Sequence, residues 1–254
     1  MDAKYTDVLT FVNQWFEKLF QKINKPSMVT QGNGFKYRFK EKTIEQAIIQ
    51  KLARVVTGLR AIRVLNKGLY QEQAALQRMQ DEFDEDISFL SLAIIFNEHT
   101  DHHRKYLASF YEEEFDDPAS AIKSTQRRET VPRQKIRAFV NKDRGIGYSQ
   151  NSSIEVSRTL SKTYSGFVHG ASPQIMELYF GSPPKFQLCD TINSHLREAH
   201  TDDLLNYYYR AILSFVFAAK ALKQDKLCDE IISFSRKFAI ASGRENDLRE
   251  TSQN

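Results

Sequence analysis

Three stretches of the chain gather residue types that can move protons, hold a phosphate or ligate a metal. The first is YSGFVHGASP, residues 164–173. At 100° per residue, Leu160, Tyr164 and Phe167 share one face of a helix, while Arg158, Lys162, Ser165 and His169 share the opposite one. Gly170 suits a left-handed helix stop, and Ser172 with Pro173 suits an N-cap followed by a first-turn proline, so the segment reads as helix, corner, helix. His169 then closes a helix, where the dipole favours the imidazolium form and the cations earlier on its face oppose it. There an imidazole can serve as acid or base, with Lys162 and Arg158 holding a phosphate and Ser165 donating a hydrogen bond. It can equally cap the last carbonyls of its helix, and the spacing leaves both roles open.

The second stretch is NEHTDHHRKY, residues 97–106. His99 and His103 stand four apart, as do Glu98 and His102, a spacing able to chelate a metal. Helical-bundle metal enzymes use Glu-x-x-His and metalloproteases His-Glu-x-x-His, and neither pattern occurs here. These histidines are therefore expected to hydrogen-bond in or beside the core, and no cofactor is expected. The third stretch, KSTQRRETVPRQKIRAFVNKDR, spans residues 123–144. It places Arg127, Arg128, Arg133, Lys135 and Arg137 around a helix start at Pro132, where side-chain charge and backbone N–H groups can together hold a phosphate. A solvated connector facing an acidic stretch accounts for the same residues.

Helices must position all three. Ile44, Ile48, Leu52, Val55, Leu59, Ile62, Leu65 and Leu69 recur every three or four residues and form one apolar stripe. The pattern predicts one long helix from Glu41 to about Phe83, or two joined near Gly68. A second long helix is expected from about Asp84 to Phe115, its acidic first turn suiting a helix N-terminus, packed antiparallel to the first. Further helices are expected at 5–23, 153–168, 173–180, 190–200, 202–223 and 226–241. Pro118 and Pro132 stand at first-turn positions. Between the first two helical segments, Gly-Asn-Gly and the alternating Phe35, Tyr37 and Phe39 fit a short hairpin or ordered loop within 29–40. The expected fold is all-α: a helical bundle over residues 1–241 built around the long antiparallel pair, followed by a polar tail at 242–254.

Composition narrows the function classes. An apolar fraction of 41% with 27% charged residues is that of a globular protein, not a disordered or collagen-like one. The first twenty residues lack a signal-peptide pattern, and the longest apolar run, residues 213–222, is broken by Lys220 and too short to span a membrane. Cys189 and Cys228 stand alone, so neither a disulfide framework nor a zinc site is expected. A cytoplasmic location without membrane association follows. The net charge of +4 hides segregation: residues 36–67 carry nine Lys/Arg against two Glu, residues 123–144 eight against two acids, and residues 81–117 twelve acids against Arg104 and Lys105. These regions meet within the fold or across an oligomer, or else expose a basic face to nucleic acid. Phosphate-loop, Rossmann and esterase motifs are absent.

The helical pattern, the run LRAIRVLNKGLYQEQAALQRMQDE and the Tyr-Ser-Gly-Phe-Val-His corner together resemble a family of uncharacterised bacterial helical proteins similar to the HEPN (higher eukaryotes and prokaryotes nucleotide-binding) group. The resemblance spans most of residues 41–223. It implies a helical bundle, often dimeric, that binds RNA or a nucleotide in a defence or stress setting, and in many members cleaves RNA without metal. The cleavage signature is Arg, four to six residues, then His. This chain departs from it, since only Lys162 precedes His169 at such a spacing, and lysine lacks the bidentate fork of arginine. Two other classes stand beside this reading. One is a non-catalytic helical module for homodimerisation or protein docking, the other a metal-dependent helical-bundle enzyme using Glu98, His99, His102 and His103.

Overall fold

The computed structural model describes residues 3–31, 34–113, 129–142, 164–188 and 197–244. Three- and four-residue apolar spacing buries Tyr5, Val8, Leu9, Val12, Trp15 and Leu19 along one stripe of α1 (Ala3–Phe20). The next helix, α2 (Ile44–Leu65), starts at a reciprocal cap: the Thr43 hydroxyl accepts from the Gln46 N–H at 3.3 Å, and the Thr43 N–H donates to the Gln46 amide oxygen at 3.1 Å. Gly68, at φ +117°, turns the chain into α3 (Tyr70–Ile95), so the long helical pattern resolves into two helices joined where the glycine stands. The pair meets as Asn66 with Gln73, the Gly58 backbone with the Gln80 side chain, and Lys51 with Asp86, one number rising as the other falls. The two helices are antiparallel and make the most extensive helix–helix contact of the bundle.

The expected helix start at Asp84 is overturned, because α3 passes through that position unbroken. The carboxylates that read as a first turn are partnered by cations from other helices instead. The chain stops at Asn97, whose φ of +52° lets the Glu98 N–H reach back to the Ala93 carbonyl at 2.9 Å. Then α4 (Asp101–Phe110) begins behind Thr100. Pro132 caps α5 (Arg133–Val140). Of the helices expected at 153–168 and 190–200, the described parts are helical, namely residues 164–168 and 197–200; Pro118 and residues 245–254 of the tail lie outside the described residues. The helix expected at 173–180 is cut short: α6 (Ser172–Met176) gives way to β3 (Tyr179–Phe180), which pairs antiparallel with β4 (Lys185–Phe186). The last two helices are α7 (Arg197–Ala221) and α8 (Asp225–Ala241).

One apolar cluster joins α1, α2, α3, α7 and α8, with Ile136 of α5 at its margin. Trp15 sits fully buried between Phe215 of α7 and Phe234 of α8, at ring separations of 5.9 and 5.2 Å. Outside this bundle stands the expected hairpin, β1 (Ser27–Gln31) paired antiparallel with β2 (Gly34–Arg38). No helix among the described residues is long and apolar enough to cross a membrane.

Candidate nucleic-acid interface

The acidic run on α3 is the first place where burial and charge coincide. Asp86 is almost fully buried and receives Lys51 from α2 at 2.7 Å, the Tyr106 hydroxyl from α4 at 2.7 Å, and Arg133 from α5. Glu85 pairs with Arg137 at 2.7 Å, and Arg133 also reaches Glu82 at 3.2 Å. On the side facing α7, Arg210 pairs with Asp81 at 2.6 Å, and Ser214 donates to Asp84 at 2.7 Å. Lys105 with Glu129 and Lys142 with Glu98 extend the same pattern at the surface, at 2.6 and 2.9 Å. Acidic and basic segments thus neutralise one another inside one chain. Of the proposed phosphate cluster, Arg133 and Arg137 face these carboxylates rather than an open anion site, Lys135 is exposed, and Arg127 and Arg128 lie outside the described residues.

Burial pushes the Asp84 carboxyl up to about 6, against the pull of Arg210 and Ser214. Its folded-state value lies above the unfolded one, so the folded protein takes up this proton first. The resulting contribution to stability is present at low pH and lost as pH rises through about 6. His103, held down to about 4 by burial, and His200, also lowered by burial, act in the opposite sense below about pH 6.5, where their unfolded forms protonate first. Comparison with Asp84→Asn isolates the carboxyl: between pH 7 and pH 5 the parent is expected to gain about 1 kcal/mol relative to the variant in urea unfolding.

Of the three sequence-predicted constellations, the second and third meet, through Lys142 with Glu98 at 2.9 Å and Lys105 with Glu129 at 2.6 Å. His169 is the exposed C-cap of the helical residues 164–169, followed by Gly170 at φ +62°, and the Ala171 N–H bonds to the Gly166 carbonyl at 2.9 Å to close the turn. The helix–corner–helix path is present and Ser165 within it is half-buried, but the N-cap of α6 is Ala171 rather than Ser172, which becomes the first helical residue and makes no side-chain cap. Lys162 and Arg158 lie outside the described residues. Tyr164 faces the other way, buried, with its hydroxyl donating to Asp203 on α7.

On α4, both ring nitrogens of His103 are engaged. Its Nδ1 accepts from the Thr100 N–H at 3.1 Å, its Nε2 lies 3.2 Å from the Phe89 carbonyl, and its ring stacks on Phe89 at 3.9 Å. This is a core histidine, and Glu98 is ion-paired with Lys142. Among the described residues, no three metal-ligating side chains come together.

The remaining constellation is the hairpin. Its register pairs Met28 with Tyr37 and Thr30 with Phe35, which puts these four side chains on one face and Val29, Lys36 and Arg38 on the other. The basic face is anchored. Glu113, just beyond α4, receives Lys36 at 2.6 Å and Arg38 at 2.7 and 3.0 Å. These two cations hold its carboxyl down to about 2. With that face tied down, the aromatic face points to solvent: Phe35 is 64% and Tyr37 59% exposed, their rings 5.8 Å apart. Isolated two-stranded ribbons are marginal in water, so the anchor at Glu113 is what holds this one in place.

Sequence alternation continues the row. Phe39 follows Tyr37 on the same parity, and both line a cleft of about 590 Å³ whose lining also includes Phe110 and Tyr111. Tyr111 is fixed there by a 2.7 Å bond from its hydroxyl to the Thr43 carbonyl. Around the aromatic row, residues 21–42 carry six Lys/Arg against Glu41 alone. Exposed aromatic rings interleaved with cations can stack unpaired bases and attract their phosphates. The alternation Phe35-Lys36-Tyr37-Arg38-Phe39-Lys40 carries that signal in the sequence beside its strand geometry.

No protein-family model matches this chain, and neither a curated protein nor a solved structure is significantly similar to it.

Proposed function

We propose that this chain binds single-stranded RNA or a nucleotide through the β1–β2 ribbon, as a HEPN-like bacterial helical protein acting in a defence or stress setting. The observation that carries the reading is the uncovered pair of rings, Phe35 and Tyr37, on a ribbon whose flanking segment is strongly basic. Stacking supplies sequence-tolerant affinity, and Lys22, Lys25, Lys40 and Lys42, all exposed, supply the electrostatic part. Resemblance of the helical pattern and of the Tyr164 to His169 corner to the HEPN group supports RNA as the nucleic acid. Binding does not depend on cleavage at His169.

A second reading, docking of a protein partner or of a second copy, is favoured by Met28, which is 64% exposed on the same face as the two rings. Salt dependence separates the two. Fluorescence anisotropy with a labelled mixed-sequence RNA 12-mer is expected to show binding that weakens with salt, with a log–log slope of about −2 to −3 for three to four phosphates. No RNA binding, together with a concentration-dependent sedimentation change that Phe35→Ser abolishes, would establish docking instead.

A further inference from the structure

We infer that β1 is a self-pairing edge, along which a second copy of this chain adds its own β1 antiparallel and completes a four-stranded sheet carrying both aromatic rows. The strand pairs with β2 on one side only. Gln31 meets Gly34 across two residues, the spacing at which the closing pair of a hairpin exchanges its backbone bonds. Ser27, Val29 and Gln31 therefore bond inward, and Met28 and Thr30 turn their N–H and C=O groups outward. Among the described residues, no hydrogen bond reaches those outer groups. Edge strands are ordinarily protected by lysine, proline or a bulge. The stretch Ser-Met-Val-Thr-Gln has no lysine and no proline, and its register with β2 runs without interruption.

Length, charge and space all suit a second copy. Pro26, which has no N–H, precedes a strand of five residues centred on Val29. Pairing about a two-fold axis at Val29 uses the whole strand: Ser27 meets Gln31, Met28 meets Thr30, and Val29 meets its own counterpart. A shifted register leaves residues unpaired. With no charge in the strand, no like charges stand opposed. The two β2 strands lie three strand spacings apart, about 14 Å, so Lys36 and Arg38 of the two copies are screened from one another. Val29 lies on the face anchored by Glu113 yet is 40% exposed, so the bundle does not cover β1 from that side. Directly opposed residues share a face, which brings Phe35 and Tyr37 of both copies onto one surface. The pairing stands on the edge geometry; its use, a platform for a longer stretch of RNA, rests on the RNA-binding reading. A contact of one short strand gives a weak dimer, strengthened by RNA that spans both rows.

The test is sedimentation velocity of the full chain over a concentration series, with and without a mixed-sequence RNA 12-mer. The expected result is a monomer–dimer equilibrium whose Kd rises at least about tenfold in Thr30→Pro, which removes one outward donor from each copy and no bond to β2. Phe35→Ser is expected to leave the Kd unchanged, because its ring lies on the face and not at the edge. Cysteine linking checks the register. The two-fold axis sets Val29 opposite its counterpart as a non-hydrogen-bonded pair with Cα atoms about 4.5 Å apart, within disulfide reach. Oxidised glutathione is therefore expected to link Val29→Cys into a dimer, and to link neither Thr30→Cys nor the parent with its Cys189 and Cys228. A chain that stays monomeric under every condition, a dimer indifferent to Thr30→Pro or lost in Phe35→Ser, or equal linking at positions 29 and 30 overturns the inference. A monomer that binds the RNA overturns the pairing and leaves the ribbon reading standing, whereas a dimer with these properties that binds no RNA upholds the pairing and overturns the ribbon reading.

Discussion

Replacing Phe35 and Tyr37 together with serine is expected to abolish measurable binding of single-stranded RNA while leaving the helical bundle intact. Each ring exposes more than half of its surface and belongs to no part of the apolar core, so its removal takes little from folding. Each base–aromatic stack contributes about 1–3 kcal/mol, and losing two weakens binding by at least about thirtyfold. Anisotropy titration gives the affinity, and circular dichroism gives the fold. Unchanged affinity in the folded double variant would place binding elsewhere. Phe35→Trp, which keeps a stacking surface, is expected to retain binding.

Asp86→Ala carries the largest expected effect on stability. This carboxylate draws cations from two helices and a hydroxyl from a third into a site that water barely reaches. Arg133 keeps Glu82 at 3.2 Å after the substitution, but Lys51 is left over aromatic faces, those of Phe83 and Phe110 at 5.2 Å and of Tyr106 at 5.9 Å. Breaking a buried ion pair from one side costs about 3–5 kcal/mol, because the remaining charge stays desolvated. For a chain of this size that corresponds to a melting temperature lower by roughly 10 °C. Urea unfolding of parent and variant measures it, and a loss below about 1 kcal/mol would show that water solvates the seam. Replacing Asp86, Lys51 and Arg133 together by apolar residues is expected to recover much of the loss, since it also removes the desolvation cost.

These two sites differ in how far the sequence announces them. The stripe from Ile44 to Leu65 specified α2 because every buried position repeats at helical spacing, and Gly68 marked the turn. Asp84 and its neighbours misled for a definite reason. Acids at that density normally complement a helix N-terminus, whereas here Lys51, Arg133, Arg137 and Arg210 satisfy them from distant parts of the chain. Local propensity carries no information about partners 35 or more residues away. Tyr179 and Phe180 likewise continue an apolar run that looks helical, until pairing with Lys185 and Phe186 draws them into a hairpin. At the candidate site the alternation of Phe35, Tyr37 and Phe39 gave the ribbon, yet the exposure of its aromatic face depends on Glu113 holding the opposite face from beyond α4. His103 looked like a potential ligand by spacing and became a core residue once Thr100 and Phe89 engaged both of its nitrogens.

The most direct measurement of the central claim is ultraviolet cross-linking of the full-length protein to a single-stranded RNA 12-mer containing 4-thiouridine, followed by mass spectrometry of the digested adduct. The ribbon reading predicts adducts concentrated on the peptide that carries Phe35 and Tyr37, suppressed by excess unlabelled RNA and by high salt. Adducts confined to other segments, or none at RNA concentrations that saturate anisotropy, would contradict it.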